Sequence, residues 1–483
     1  MQTIRTLFSP RDMTQGAPWK RILEFSIPML LGNFAQQLYN TVDSIVVGQY
    51  VGSNALAAVG RAGPMLNFLL ALLVGIAAGA GILVSQYFGA KDREHLSLAI
   101  GNCLTLTAIV SLVVSLLGIF LARPLMRLLN TPEEIMDWSV QYIQILFMGI
   151  TGSIYYNILA GVLRGMGDSL SALGFLLLAT VLNIVLDLWF VIRFQWGVGG
   201  VALATVLSQS ISAVLCFMKL RRMKDTFLIS RNTLKLQKDM VLDMTRLGLP
   251  TGITQAIFSV AMILVQPLQN SYGADYLAMS AIIIRVDGFA MLPSFSFAQA
   301  MTTYIGQNVG GCKEDRLHRG ARQGIVIAVC VVAALTAAIL IFGREIMGLF
   351  LDDAAPNREY IITNGMKMMR ILSLGYLGMA FLQALSGIMR GAGDTWTPMV
   401  ISVLISVVLR VPLSYLLINL TRSAEHPNGA EEALFIVLTI VWCTGALINL
   451  IAYRRGKWRL RAQQRMNIMR ERPVQPDIGS DLQ

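Results

Sequence analysis

Four stretches of this chain, 99–122, 170–191, 324–342 and 398–418, run for about twenty residues with no more than one charge each. A helix rises about 1.5 Å per residue and needs about 20 mostly apolar residues to cross a bilayer. In hydrocarbon every backbone N–H and C=O must be satisfied within the segment, so a chain carrying many such runs folds as a helical bundle. Composition agrees: 55% of 483 residues are hydrophobic and 14% are charged, against roughly 25% charged in soluble domains. Mean hydropathy is +0.61. The pattern gives twelve spans, at 22–50, 55–86, 96–122, 136–160, 170–192, 199–218, 247–271, 277–305, 321–343, 360–388, 397–419 and 433–453. The first follows Lys20 and Arg21 and exceeds the roughly 7–15 residues of a signal-peptide core; it is expected to remain as a membrane helix. The expected fold class is an all-α integral membrane protein.

The formal charge of +11 bears on topology and not on nucleic acid, which is not an expected partner. On one side of the predicted membrane lie 28 of the 39 basic residues, concentrated at 5–21, 219–246, 313–322 and 454–472, against six on the other. Cytoplasmic loops carry the excess of Lys and Arg, so both termini are expected in the cytoplasm, which requires an even number of spans. Five scattered cysteines without a CxxC pair suggest neither disulfides nor zinc, and His95, His318 and His426 fall in predicted loops. No enzyme is indicated: there is no nucleophile–base pair, metal cluster or phosphate loop.

The chain is internally duplicated. Leu159-Ala-Gly-Val-Leu-Arg-Gly-Met-Gly-Asp-Ser-Leu170 aligns with Leu385-Ser-Gly-Ile-Met-Arg-Gly-Ala-Gly-Asp-Thr-Trp396, identical at six of twelve positions and offset by 226 residues. Pro28 with Pro250, and Gln86-x-x-Gly89 with Gln307-x-x-Gly310, recur at nearly the same offset. Six spans per half make these parallel repeats, related by an axis along the membrane normal. The expected organisation is an N-lobe over 1–218, a cytoplasmic linker over 219–246, a C-lobe over 247–453 and a basic tail over 454–483. In each Arg-Gly-x-Gly-Asp loop the glycines are expected to end one helix and the acid to cap the next, with the arginine anchored to lipid phosphate or a neighbouring loop. Thr131-Pro132-Glu133-Glu134 reads as a helix start, with Thr131 as cap, Pro132 at the first helical position and acids at the positive end of the dipole.

Ionisable groups at membrane depth are costly and mark function. The candidates are Asp43, Asp187, Arg285, Asp287 and Arg410, with Arg61 nearer a helix end. At about 1.5 Å per residue, Asp43 lies about 30 Å along span 1, Asp187 about 26 Å along span 5, and Thr205 about 9 Å below the outer end of span 6. Asn183 stands one turn before Asp187 on the same face. These carboxylates, amide and hydroxyl form an all-oxygen set at one depth, suited to a hard cation or to a proton shared between two acids. The competing reading is that both acids only hydrogen-bond neighbouring helices. Arg285, Asp287 and Arg410 are expected near mid-membrane in the second half as a structural salt bridge. Gln36 in span 1 and Gln255 in span 7 are further polar candidates.

Twelve spans in two halves, duplicated LRGxGD loops, Asp43 and Asn183-x-x-x-Asp187 resemble the multidrug and toxic compound extrusion (MATE) family, most closely its bacterial DinF-like branch. Arg285-Val-Asp-Gly-Phe-Ala and Gly306-Gln-Asn-Val-Gly310 fit the same group, and the resemblance covers about 20–453. It implies a V-shaped pair of six-helix bundles in the bacterial inner membrane that exports small, cationic, amphipathic organic compounds in exchange for H+ or Na+. The cation site of that branch falls here on Asp43, Asn183, Asp187 and Thr205. No cofactor is implied apart from Na+ as coupling ion; membrane lipids are the other partners, and a monomer is expected. NorM-type relatives place acids in spans 7 and 10, where this chain has Gln255 and Gln266 in the former and no acid in the latter. The alternative is a flippase of lipid-linked saccharides or related anionic lipids, which would use Arg285 and Arg410.

Overall fold

The computed structural model describes residues 9–128, 131–351, 357–423 and 427–471, and among them every regular element is helical. In the first half these are α1 (Pro18–Val46), α2 (Ser53–Gly89), α3 (Arg93–Leu128), α4 (Glu133–Met148), α5 (Ile150–Gly165), α6 (Ser169–Leu188) and α7 (Gly197–Arg221). The second half contains α8 (Lys238–Asn270), α9 (Ala274–Gly310), α10 (Glu314–Gly348), α11 (Arg358–Gly391), α12 (Trp396–Val403), α13 (Arg410–Leu420) and α14 (Ala433–Arg454). A last helix, α15 (Lys457–Glu471), follows. Nine described helices are individually long and apolar enough to cross a membrane, and α4 with α5 makes a tenth as a bent pair. The more polar α1 and the 37-residue α2 complete the twelve.

Several spans depart from straight helices for local reasons. Span 4 bends by 52° between α4 and α5 at Gly149. A Cβ there would lie 2.0 Å from Val206 Cγ1, and one at Gly152 would lie 2.0 Å from Ser210 Oγ, so α5 follows the surface of α7. Wider π turns extend α1 (Val47–Val51) and α6 (Trp189–Arg193), and a third (Leu404–Leu409) joins α12 to α13. Such turns collect at functional sites, and here they lie within four residues of Asp43, Asp187 and Arg410.

The duplicated loops cap helices as expected. Asp168 accepts the Ser171 N–H at 3.0 Å, Asp394 accepts from the Thr397 N–H and hydroxyl, and Gly167 and Gly393 sit at φ +85° and +91°, where only glycine is unstrained. At the start of α4, by contrast, Pro132 is itself the cap residue, and the Thr131 hydroxyl turns instead to Met126 Sδ at 3.7 Å. His95 and His318 stand in the first turns of α3 and α10 instead of in loops; His426 and the side chain of Arg61 are outside the described residues. The basic connection after α7 docks along α3: Arg93 donates to Lys224 O at 2.6 Å, the Leu228 N–H to Ser97 Oγ at 2.9 Å, and the Gln237 N–H to Asn102 Oδ1 at 2.6 Å. The tail is helical too. Trp458, Ala462 and Met466 of α15 are buried, and Arg465 pairs with Asp243 at 2.9 Å.

The two halves meet at the end of the bundle that carries these basic segments, called here the basic end. Gly75 and Gly79 of α2 lie against Gly248 and Gly252 of α8, where a Cβ on Gly75 would come within 2.7 Å of Gly248 O. Absent side chains let the two backbones touch, the usual device of helix packing in membranes. The same half of α1 packs Ile22, Phe25 and Met29 into a core built from α9, α10 and α11, while further along Gly32 meets Leu173 and Leu176 of α6. So α1 begins on the second half and ends in the first.

Candidate functional site

The acidic cluster sits where the far halves of α1, α6 and α7 converge. Asp187 and Asn183 have no exposed surface. The carboxyls of Asp43 and Asp187 lie close enough to interact with each other, which places two like charges together unless they share a proton or a cation. Asp43 Oδ1, both Asp187 oxygens and Asn183 Oδ1 are buried with no donor among the protein groups. Thr205 joins the cluster indirectly: its Oγ1 bonds the Tyr39 hydroxyl at 3.1 Å, and Tyr39 is one turn before Asp43 on α1. Tyr142 of α4 lies close enough to interact with both acids. The sequence-derived quartet is thus a single neighbourhood, to which the structure adds Tyr39 and Tyr142. Neither tyrosine was singled out from the sequence: the i−4 spacing of Tyr39 to Asp43 was an unused signal, and Tyr142, on another helix, had no local one.

Buried oxygens without donors normally cost about 1–3 kcal/mol each. Four in one place, two of them from one carboxylate, suit a hard cation or a proton. Nitrogen and sulfur ligands that would favour a transition metal are not among them.

The second half differs, and the expected salt bridge does not form. Asp287 accepts a short hydrogen bond from the Tyr376 hydroxyl of α11. Arg285 is exposed and extends over the Phe350 ring, 5.6 Å from its centre. Phe350 lies just beyond α10, so Arg285 snorkels toward the helix ends, a cheaper placement for its charge than mid-membrane. Arg410 is 9% exposed and pairs with no carboxylate among the described residues. Gln255 is exposed and Gln36 half-buried; neither joins the acidic cluster.

At the basic end the duplicated motifs cross between halves. Gln86 Nε2 donates to Gly391 O at 3.2 Å, and its repeat counterpart Gln307 donates to Gly165 O at 3.0 Å. Gln307 Oε1 also accepts the Met13 N–H at 2.8 Å. Each half's Gln-x-x-Gly segment thereby grips the Arg-Gly loop of the other.

Two six-helix halves closed at one end, with two neighbouring acids at membrane depth in one of them, define a polytopic membrane transporter. The MatE family model matches residues 28–189 and 250–416, and the chain belongs to the MATE family. It is 28% identical to the probable multidrug resistance protein YoeA of Bacillus subtilis, over 87% of this chain and 92% of that one. It is 29% identical to the probable multidrug resistance protein YpnP of the same organism, over 93% and 97%. The fold is shared with a crystal structure of MATE in complex with MaL6, at TM-score 0.84 and 24% identity, covering 95% of this chain and 99% of that one. It is also shared with a Pyrococcus furiosus MOP superfamily transporter whose binding pocket is described as reversed in polarity, at TM-score 0.83 and 24% identity, covering 95% and 98%.

Proposed function

We propose that this protein is a secondary active exporter of small, amphipathic organic cations, driven by antiport of H+ or Na+ through Asp43, Asn183, Asp187 and Thr205. The observation that carries this reading is the neighbouring carboxyls of half-buried Asp43 and fully buried Asp187, with donor-free buried oxygens among them. Relatives named as multidrug resistance proteins support the substrate class. The excess of 28 basic residues over six supports a cytoplasmic basic end, so that the acid pair lies toward the outer face.

The experiment is dye efflux from proteoliposomes with sodium and proton gradients imposed separately. Efflux should follow one gradient and be lost in Asp43→Asn. Efflux that persists undiminished in that variant would remove the coupling site from Asp43.

The reading of the chain as a flippase of anionic lipids draws on one observation, the buried and carboxylate-free guanidinium of Arg410. Under that reading the wild type moves no cationic dye, and Arg410→Ala abolishes lipid translocation.

A further inference from the structure

At the basic end a groove of about 480 Å³ runs between the start of α1 and residues 319–327 of α10. Its lining combines the cationic Arg319 and Arg322 and the amphipathic Trp19 with the apolar Leu23, Val326 and Ile327. The arginines are three residues apart on α10 and share a face. Both are exposed, and among the described residues neither has an ion pair or a side-chain hydrogen bond. Their neighbours are committed: Arg11 and Arg21 both bind Glu24 at 3.0 Å, and Arg316 donates to Gly16 O, Met13 O and Asn308 Oδ1. Gln323 is committed as well, accepting the Trp19 N–H at 3.0 Å, which ties the two helices together beside the groove.

The polarity of the groove is graded along its axis. One turn beyond Arg322 the lining becomes apolar with Val326, which is 54% exposed. Trp19, 49% exposed, has the amphipathic ring that settles at headgroup level. A soluble anion would use the arginines and leave the apolar wall uncovered; an uncharged lipid would use the wall and leave two unneutralised guanidiniums. An amphiphile with an anionic head satisfies both.

We infer that this groove is a binding site for one anionic glycerophospholipid of the leaflet at the basic end, its phosphodiester held by Arg319 and Arg322 and an acyl chain lying on Leu23 and Val326. Basic pockets between membrane helices recognise such headgroups. The inference depends on the chain spanning a membrane and not on the proposed transport activity. Because α1 belongs to the first half by its far end and α10 to the second, the bound lipid braces the contact between halves.

The test uses the full-length protein, delipidated in detergent. Bound lipid is counted by native mass spectrometry and thermal unfolding is followed, on titration with phosphatidylglycerol, phosphatidylcholine, glycerol 3-phosphate or inorganic phosphate. The wild type should retain one phosphatidylglycerol and unfold at a higher temperature with it, and should respond to neither phosphatidylcholine nor the soluble phosphates. In Arg319→Gln/Arg322→Gln the affinity for phosphatidylglycerol should fall about thirtyfold, whereas Arg319→Lys/Arg322→Lys should keep most of it. Arg459→Gln/Arg461→Gln, which removes the same charge from α15, should bind as the wild type does. Equal stabilisation by inorganic phosphate would make this a soluble-anion site and overturn the inference. So would undiminished lipid binding in the Gln/Gln variant, or an equal loss in the α15 control.

Discussion

A carboxyl pair that must share a proton or a cation responds differently to each way of neutralising it. Asp187 is fully buried and its two oxygens have no donor, so Asp187→Asn preserves shape while removing the charge that, under the proposed coupling, attracts the ion. If the contact to the ion matches a hydrogen bond to a charged group, about 1.5–3 kcal/mol, kcat/KM for gradient-driven dye efflux should fall roughly 10- to 150-fold. Tyr39→Phe removes only the bond to Thr205, a neutral contact of about 0.5–1.5 kcal/mol. It should raise the half-saturating ion concentration up to about tenfold and leave maximal efflux near the wild-type level. Equal losses in the two variants would show that the cluster is structural. Arg410 gives the opposite expectation. A buried charge without a partner carboxylate is expensive, and apolar replacement of such groups is often neutral or stabilising. Arg410→Met should therefore unfold at an unchanged or higher temperature and retain dye efflux. Loss of efflux in a stable Arg410→Met protein would favour an anionic substrate. Asp43, Asn183, Asp187 and Thr205 were legible in the sequence because helical rise converts residue number into depth. The supposed salt bridge of Arg285, Asp287 and Arg410 was misread because depth says nothing about azimuth. Asp287 turns to Tyr376 on a helix 89 residues away, and a long arginine can reach away from its own Cα.

At the scale of elements, close approach at the basic end depends on glycine. A Cβ on Gly310 would stand 1.8 Å from Gln86 O, and one on Gly89 2.0 Å from Gln307 O. These are backbone atoms and cannot rotate away. Gly310→Ala and Gly89→Ala should each open the basic end, lengthening the distance between spin labels placed there on the two halves, while the protein still inserts. Gln86→Ala should have a smaller effect, since it removes one hydrogen bond and introduces no clash. Label distances unchanged in both glycine variants would show that the halves can separate elsewhere. The repeat itself was plain in the sequence, and the capping role of Asp168 and Asp394 followed from local chemistry. Missing was the second use of the same loops, because Gly165 and Gly391 accept from glutamines 142 and 305 residues away, which no local pattern encodes. The π turns and the break at Gly149 were equally hidden, since apolar composition fixes that a segment crosses the membrane and not how its backbone winds.

For the whole molecule, the proposed coupling requires that an ion bound in one half influence the contact between halves. A ligand shifts a two-state equilibrium only by its difference in affinity for the two states. The element able to carry that difference is α1. Its far half bears Asp43 and Tyr39 in the acidic cluster, and its near half packs Ile22 and Phe25 into the second half's core. Asn33 bonds Ser296 of α9 at 2.9 Å between them, and Pro28 interrupts the helix ladder on the near side. Occupying the acid pair changes what Asp43 and Asp187 require of each other, and α1 can answer only by moving relative to α6 or relative to α9. The first leaves the halves joined; the second loosens Asn33–Ser296 and the contacts around Gln86 and Gln307. We predict that label distances across the basic end change with whichever ion drives efflux, and that Asp43→Asn and Asp187→Asn each abolish that response. Asn33→Ala should weaken the coupling without removing ion binding, shifting the distance distribution at fixed ion concentration. If the wild-type distances ignore both ions while efflux still depends on one of them, α1 is not the connecting element, and coupling runs through the second half, where half-buried Asp287 accepts from the Tyr376 hydroxyl.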